Sequence, residues 1–200
     1  HSVLVEEAKA AMAGWWSREV CGRPFVSLKL ATSLDGCIAL ANGESRWITG
    51  EAARAHAHLE RARSNMVIVG RGTFDADAPR LDVRLPGLEH RSPRKGLLTS
   101  GHAPEGWEAI SSPQHISNLS GVDWILVEGG AATAAAFLRA GLVDRLLIYR
   151  APITIGAGLA SLGDLGLDRM NDAHGQWKRS VTRQLGSDTL DIYVRADKGL

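Results

Sequence analysis

"WILVEGGAATAAAFLRAG", Trp124 to Gly141, joins an apolar burst to an alanine-rich run through one carboxylate and two glycines. "DWILVE", 123–128, reads as a buried strand, and 131–140 as a helix that Gly141 ends. A carboxylate closing an apolar strand is expensive unless something uses it, which singles out Glu128. Gly129-Gly130 leaves the backbone bare where the helix begins. Free N–H groups and the positive end of the dipole there suit a phosphate. Ala131, Ala132, Thr133 and Ala134 keep the first turn open. The competing reading is a tight strand-to-helix turn with no ligand.

The same logic recurs upstream. "VIVGRGTFDADAPRLDVR", 67–84, again ends a short β-rich strand (66–70) in glycine, Gly70, followed by Arg71, Gly72 and Thr73. Two such turns suit a ligand with several phosphates, such as a dinucleotide. The spacing is not G-x-G-x-x-G, which disfavours a conventional NAD domain. Asp75, Asp77 and Asp82 read as turn formers in a loop.

Around these turns strands and helices alternate. Residues 3–20 read as a helix and 24–31 as a strand with Lys29 in its middle. That lysine faces solvent, or needs a partner if the strand is central. A turn at Asp35-Gly36 precedes a second apolar stretch. Thr49 is placed as the N-cap of a helix from Gly50 to Ser64, with Ala52, Ala55, Leu59 and Ala62 on its apolar side and Arg54, His58 and Arg61 on a polar, solvated one. Residues 79–118 hold five of the seven prolines and read mostly as loop, with short strands at 96–100 and 107–110. A strand at 143–152 follows, then a hairpin around Gly186-Ser187-Asp188. The pattern is α/β: a mostly parallel central sheet flanked by helices, with a C-terminal antiparallel hairpin. Ligands in such sheets bind beyond the carboxyl ends of the strands.

Two hundred residues suit one domain. A net charge of +1 gives no footprint for nucleic acid or an anionic membrane. No apolar run approaches the roughly 18 residues of a membrane span, and no secretory signal is visible. Cys21 and Cys37 fit neither a zinc knuckle nor a Cys-x-x-Cys pair, and are expected as reduced thiols in the cytoplasm. His56 and His58 lie on different helix faces, which argues against a metal. The opening His1-Ser2 reads as a tag scar or a domain cut from a longer protein.

"LKLATSLDGCIALANGESRWIT" (28–49), "VIVGRGTFDADAPRLDVRLPG" (67–87) and "ILVEGGAATAAAFLRAGLVDRL" (125–146) together resemble the reductase domain of the bifunctional riboflavin-biosynthesis deaminase/reductase, in order and with matching spacing. The resemblance runs from about Arg23 to the C-terminus, leaving 1–22 as an N-terminal helix and linker and 23–200 as the reductase domain. It implies a dihydrofolate-reductase-like fold and reduction of 5-amino-6-(5-phosphoribosylamino)uracil with NADPH. The "GESRWIT" and "PRLDVR" stretches favour this family over dihydrofolate reductases, which share the Gly-Arg-x-Thr and Gly-Gly turns.

Carried over by position, the resemblance implies that Ala31, Trp47, Thr73, Asp77, Ser100 and the turn from Gly130 onward line the NADPH site. With the phosphate turns this makes Gly70, Arg71, Gly129, Gly130, Ala131, Ala132 and Thr133 cofactor candidates. Ser45, Arg61, Leu81, Arg84 and Glu128 would hold the substrate, so that Arg61 leaves the solvated face assigned to it above. Lys29, Asp77 and Glu128 are the catalytic candidates. A homodimer is implied, and the apolar strand at 144–152 reads equally as its interface or as a core strand. The zinc-deaminase signature is absent, so deamination belongs to another domain, expected N-terminal to this one. The chain departs from the family at Ala78, at Cys37 and in a shortened 86–123 segment. The rivals are a pterin or related pyrimidine reductase of the same fold, and a dinucleotide-binding domain without turnover.

Overall fold

The computed structural model describes Ala8 and residues 11–196. Of the helix read at 3–20, the later part forms α1 (Ala13–Cys21), closed by Gly22 at φ 67; most of its first half lies outside the described residues. There follow β1 (Phe25–Thr32), β2 (Cys37–Ala39), α2 (Glu51–Ala62), β3 (Met66–Gly70), α3 (Arg71–Asp77), β4 (Arg94–Leu98) and β5 (Glu108–Ile110). The chain continues through β6 (Trp124–Val127), α4 (Ala131–Arg139), β7 (Arg145–Arg150), β8 (Leu159–Ala160), α5 (Met170–Ala173), β9 (Trp177–Leu185) and β10 (Asp188–Arg195).

Eight strands form one sheet in the order β5-β4-β3-β6-β1-β7-β10-β9. The first six are parallel neighbours, and β10 runs antiparallel to both β7 and β9. This is the mixed α/β sheet expected. β7 lies between β1 and β10, so the stretch around "RLLIYR" is a core strand and its edges are not free to form an interface.

Strand alternation sorts the core into two layers. Val26, Leu28 and Leu30 of β1 pack with Ile125 and Val127 of β6 and with Ala134 and Phe137 of α4. Val67, Val69, Leu126, Leu147 and Tyr149 point the other way, onto Ala53 and Ala57 of α2. Each fully buried aliphatic or phenyl side chain contributes roughly 1.5–3 kcal/mol. Arg23 and Asp144 form a buried two-bond ion pair at 2.6 and 2.7 Å. Asp144 also accepts the Val26 amide, which ties the start of β1 to β7.

Several local expectations are corrected. Thr49 does not cap α2. Gly50 holds the cap position without a side-chain bond of its own, and its N–H donates to Asp188 Oδ2 at 2.6 Å. The buried side of α2 is Ala53, Ala57, Glu60 and Ala62, a rotated stripe. Glu60 is tolerated inside because Arg145 and Arg63 hold its two oxygens at 2.6 and 2.8 Å. Asp75 and Asp77 belong to α3 and not to a loop.

The chain leaves β3 outward to β4, whereas from β6 it passes to β7 on the far side of β1. β3 and β6 are neighbours whose continuations diverge, which is where a parallel sheet opens a crevice for a ligand. Among the described residues no helix is long and apolar enough to cross a membrane.

Candidate active site

Register places the central charges. β1 and β6 pair up to Leu28 beside Val127. One step further come Lys29 and Glu128, both on the α2 side of the sheet. β1 is central, so the lysine needs a partner and has one: Nζ lies 3.9 Å from Glu128 Oε2. Arg61, on the last turn of α2, reaches the same carboxylate with two bonds, Nε to Oε1 at 2.6 Å and Nη2 to Oε2 at 2.9 Å. The side chains of Lys29, Arg61 and Glu128 are 21, 15 and 7 % exposed, so the triad is largely dehydrated.

Burial pushes the Lys29 ammonium below the usual lysine range; the Glu128 charge opposes this and the Arg61 charge adds to it. Burial would raise the Glu128 carboxyl, but the Arg61 hydrogen bonds and charge, with Lys29, outweigh it and hold the group below the usual carboxylate range. Glu128 is therefore an ionised anchor, and Lys29 the group that can release a proton. Beneath them Tyr149 hydrogen-bonds His56 Nδ1 at 2.8 Å, and its ring centroid is 5.9 Å from Lys29 Nζ. Burial, with the charges of Glu60 and Glu128, pushes the phenol up, so it stays protonated.

The segment after α3 folds back onto this triad. Ala78 and Leu81 both adopt left-handed backbone, at φ 42 and 53, on either side of Pro79-Arg80. Non-glycine residues there cost about 1–3 kcal/mol each and persist where surrounding contacts fix them. The turn buries Leu81 in the core layer beneath α2. It also brings the Asp82 carbonyl within 3.2 Å of Arg61 Nη1 and 3.1 Å of His58 Nδ1. Arg84 follows, its Nε 3.6 Å from Asp82 Oδ1. Arg61 and Arg84, distant in sequence, are thus brought to one place. Among the described residues no hydrogen bond or ion pair joins Ser45 to them.

On the crevice side, the Gly130 N–H donates to Thr73 Oγ1 at 3.0 Å, linking the two glycine turns. The glycines differ in kind. A Cβ on Gly70 would sit 2.0 Å from Thr133 Oγ1, and one on Gly129 2.5 Å from Thr133 Cβ, so both are required by packing. Gly130 has ordinary extended backbone, φ −71, and a Cβ there would meet only Thr73 Oγ1, at 3.4 Å. The first intrahelical bond of α4 comes from Ala134, leaving the amides of Ala131, Ala132 and Thr133 without helical partners beside that space.

The other candidates ring this crevice. Arg71 Nη2 lies 3.4 Å from Thr99 Oγ1 and 2.8 Å from the His102 carbonyl, next to exposed Ser100. Asp77 receives Arg46 Nη2 at 3.3 Å, and the neighbouring Trp47, 66 % exposed, lies against the Arg54 guanidinium of α2, which is 4.7 Å from the Trp47 ring centroid. Ala31 lies across from Tyr149 in the β1–β7 register. Sequence reasoning leaves His58 on a solvated face and Asp82 as a turn former, and passes over Tyr149. The one usable signal was the three-residue spacing of His58 and Arg61, which shares a helix face.

The RibD C-terminal domain model matches residues 24–106 and 116–190. The riboflavin biosynthesis protein RibD of Mycobacterium tuberculosis is 34 % identical over 203 residues, covering 94 % of this chain and 60 % of that protein. The chain therefore spans about three-fifths of such relatives. Among solved structures, the diaminohydroxyphosphoribosylaminopyrimidine deaminase/5-amino-6-(5-phosphoribosylamino)uracil reductase of Thermotoga maritima is 26 % identical, with a TM-score of 0.79 over 96 % of this chain and 62 % of that one. Dihydrofolate reductase from Enterococcus faecalis, 18 % identical with a TM-score of 0.62 over 86 % of this chain and 97 % of its own, shares the fold. By the extent of the domain match and the identity to its relatives, the chain belongs to the RibD C-terminal domain family.

Proposed function

We propose that the chain reduces the ribosyl group of 5-amino-6-(5-phosphoribosylamino)uracil to the ribityl product, using NADPH, in riboflavin biosynthesis. The observation that carries this is the buried Lys29–Glu128–Arg61 cluster beside the β3/β6 crevice in a chain of this family. When bound, NADPH supplies the hydride, and C1′ of the ring-opened sugar is its acceptor. The protein supplies position and a proton. The open cradle at Gly130 and the free amides of Ala131–Thr133 suit the pyrophosphate, with Thr73 beside it. Trp47, Asp77 and Ala31 lie toward the nicotinamide end. Lys29 polarises the substrate and gives up its proton more readily than a solvated lysine would, and Glu128 holds it in place. Arg84, with the Nη hydrogens of Arg61 that Glu128 and Asp82 leave over, takes the substrate's phosphate, because guanidinium N–H groups make charge-assisted bonds to phosphate oxygens.

NADPH oxidation with the phosphoribosylaminouracil, run beside dihydrofolate, tests the reading. Turnover of the first and not the second is expected; the reverse overturns it. The Thermotoga relative carries a deaminase as well as a reductase in its name. A deaminase, in the same chain or a separate one, would make the substrate. A homodimer remains part of the proposal, on a surface other than β7.

Three substitutions separate the parts. Gly130→Val keeps the fold, because backbone and space allow it, but fills the phosphate cradle and weakens NADPH binding. Loss of the folded state in a thermal melt would show that the glycine serves conformation instead. Arg71→Ala narrows the preference for NADPH over NADH by about tenfold or more, since the guanidinium and Thr99 stand ready for a 2′-phosphate; cofactor titrations that give equal ratios in parent and variant would refute this. Arg84→Ala raises KM for the phosphorylated substrate about tenfold, a modest effect because its side chain is 56 % exposed. NADPH affinity stays as in the parent, and an undiminished preference over the dephosphorylated substrate would make Arg84 an ordinary surface residue.

A further inference from the structure

His58 offers one ring nitrogen to two backbone groups that make opposite demands on it. Nδ1 lies 3.1 Å from the Asp82 carbonyl oxygen and 3.3 Å from the Arg84 amide nitrogen. The carbonyl needs a proton on Nδ1; the amide needs a lone pair there. Only one can be satisfied at a time. A neutral ring protonated on Nε2 accepts the Arg84 N–H. An imidazolium donates to Asp82 and leaves the Arg84 amide without that partner. The Asp82 carbonyl already receives Arg61 Nη1 at 3.2 Å, so it is held in either case. What the proton changes is whether the backbone at Arg84 is tied to α2.

We propose that His58 is a positioning residue for the substrate's phosphate: its neutral imidazole fixes the backbone of Arg84, and protonation releases it. This rests on the reading of Arg61 and Arg84 as the phosphate-binding pair. The charged groups around the ring are Arg61 from α2, Asp82 and Arg84 from the returning segment, and Glu128 from the end of β6. Burial, then the charges of Arg61 and Arg84, push His58 below the ordinary histidine range, while the Asp82 carbonyl and Glu128 oppose them. The ring is therefore neutral at neutral pH; protonated on Nε2 it holds the Arg84 amide, and acid removes that form.

Two measurements on the full chain test this. The first needs no substrate. In ¹⁵N–¹H spectra the Arg84 amide follows the His58 titration in the parent protein and loses that dependence in His58→Asn. An Arg84 amide blind to the titrating ring overturns the proposal, whatever reaction the chain performs. The second is kinetic. With the phosphorylated substrate near neutral pH, His58→Phe raises KM about tenfold, the scale of one hydrogen bond, with kcat at saturation held. In the parent, KM carries a rise through the His58 titration that His58→Phe lacks, so only the titration of the substrate's own phosphate remains. His58→Asn puts an acceptor near the place of Nδ1 without a titrating group. It restores KM at neutral pH but not the pH dependence. Equal KM changes for phosphorylated and dephosphorylated substrates would remove the phosphate from the argument. If no phosphorylated aminouracil is reduced, the reductase reading falls separately, and inorganic phosphate becomes the probe. Its shifts at Arg84 weaken in His58→Phe if the proposal holds; equal shifts in parent and variant overturn it.

Discussion

Lys29→Met lowers turnover roughly 10²-fold or more, the scale of losing one preorganised electrostatic stabiliser, with the fold and NADPH affinity kept. The structure explains the separation. Glu128 keeps both Arg61 hydrogen bonds when the lysine is gone, so no buried carboxylate is orphaned. The unbranched methionine fills the stem's volume between neighbouring strands. Removing a cation whose charged form burial disfavours does not weaken the folded state either. NADPH-oxidation kinetics, cofactor titration and a thermal melt report the three quantities independently. A variant with the parent's kcat would reduce Lys29 to a counter-charge for Glu128.

Arg61→Leu has the opposite profile. It strips Glu128 of both short bonds and leaves only Lys29, at 3.9 Å. Breaking one side of a buried pair costs about 3–5 kcal/mol. The pH dependence changes sign with it. In the parent, the folded carboxyl titrates below its unfolded value. Its contribution is fully present above the unfolded pKa and disappears as pH falls through the folded one. In the variant burial dominates and raises the folded pKa above the unfolded value, so mild acid restores stability. Urea unfolding at about pH 7 and about pH 5 reads both effects. A variant as stable as the parent at neutral pH would show the pair to be incidental.

The strands were legible because Met66–Gly70 and Trp124–Val127 are short apolar runs bounded by breakers, and the sheet confirms them nearly residue for residue. α3 was not. "RGTFDAD" has weak helix propensity, and the element is fixed by what surrounds it: Phe74 packs edge-on against Trp107 at 5.0 Å, and Ala78 closes the turn in left-handed backbone. α2 was legible as a helix and misjudged in its facing. Apolar periodicity passes over Glu60, whose burial depends on Arg145 from a strand 85 residues away. The site divides in the same way. Glu128 and Lys29 each broke a local rule, a carboxylate closing an apolar strand and an ammonium inside one, and so announced themselves. Arg61 broke none, because its partner lies 67 residues on and no local pattern records the pairing; only family resemblance moved it into the site. His58 meets Asp82 through a ring nitrogen and a backbone carbonyl, and the carbonyl half of that contact carries no sequence signal.

The place of β1 has a consequence for how the protein is made. It is the first strand of the sheet to be synthesised, yet it ends at the centre, and its neighbours are β6 and β7. Phe25 pairs with Trp124, and Lys29 with Leu147. At bacterial or eukaryotic elongation rates of about 5–20 residues per second, the strand waits roughly 6–24 s on the ribosome before both neighbours exist. Through that interval both its hydrogen-bonding edges stand open and Val26, Leu28 and Leu30 have no sheet to join, the kind of segment that holdase chaperones and aggregation both seize. Pairing across such separations is also intrinsically slow. Lys29 is thus synthesised early and paired late: the residue proposed to deliver the proton meets its anchor only when nearly two-thirds of the chain has emerged.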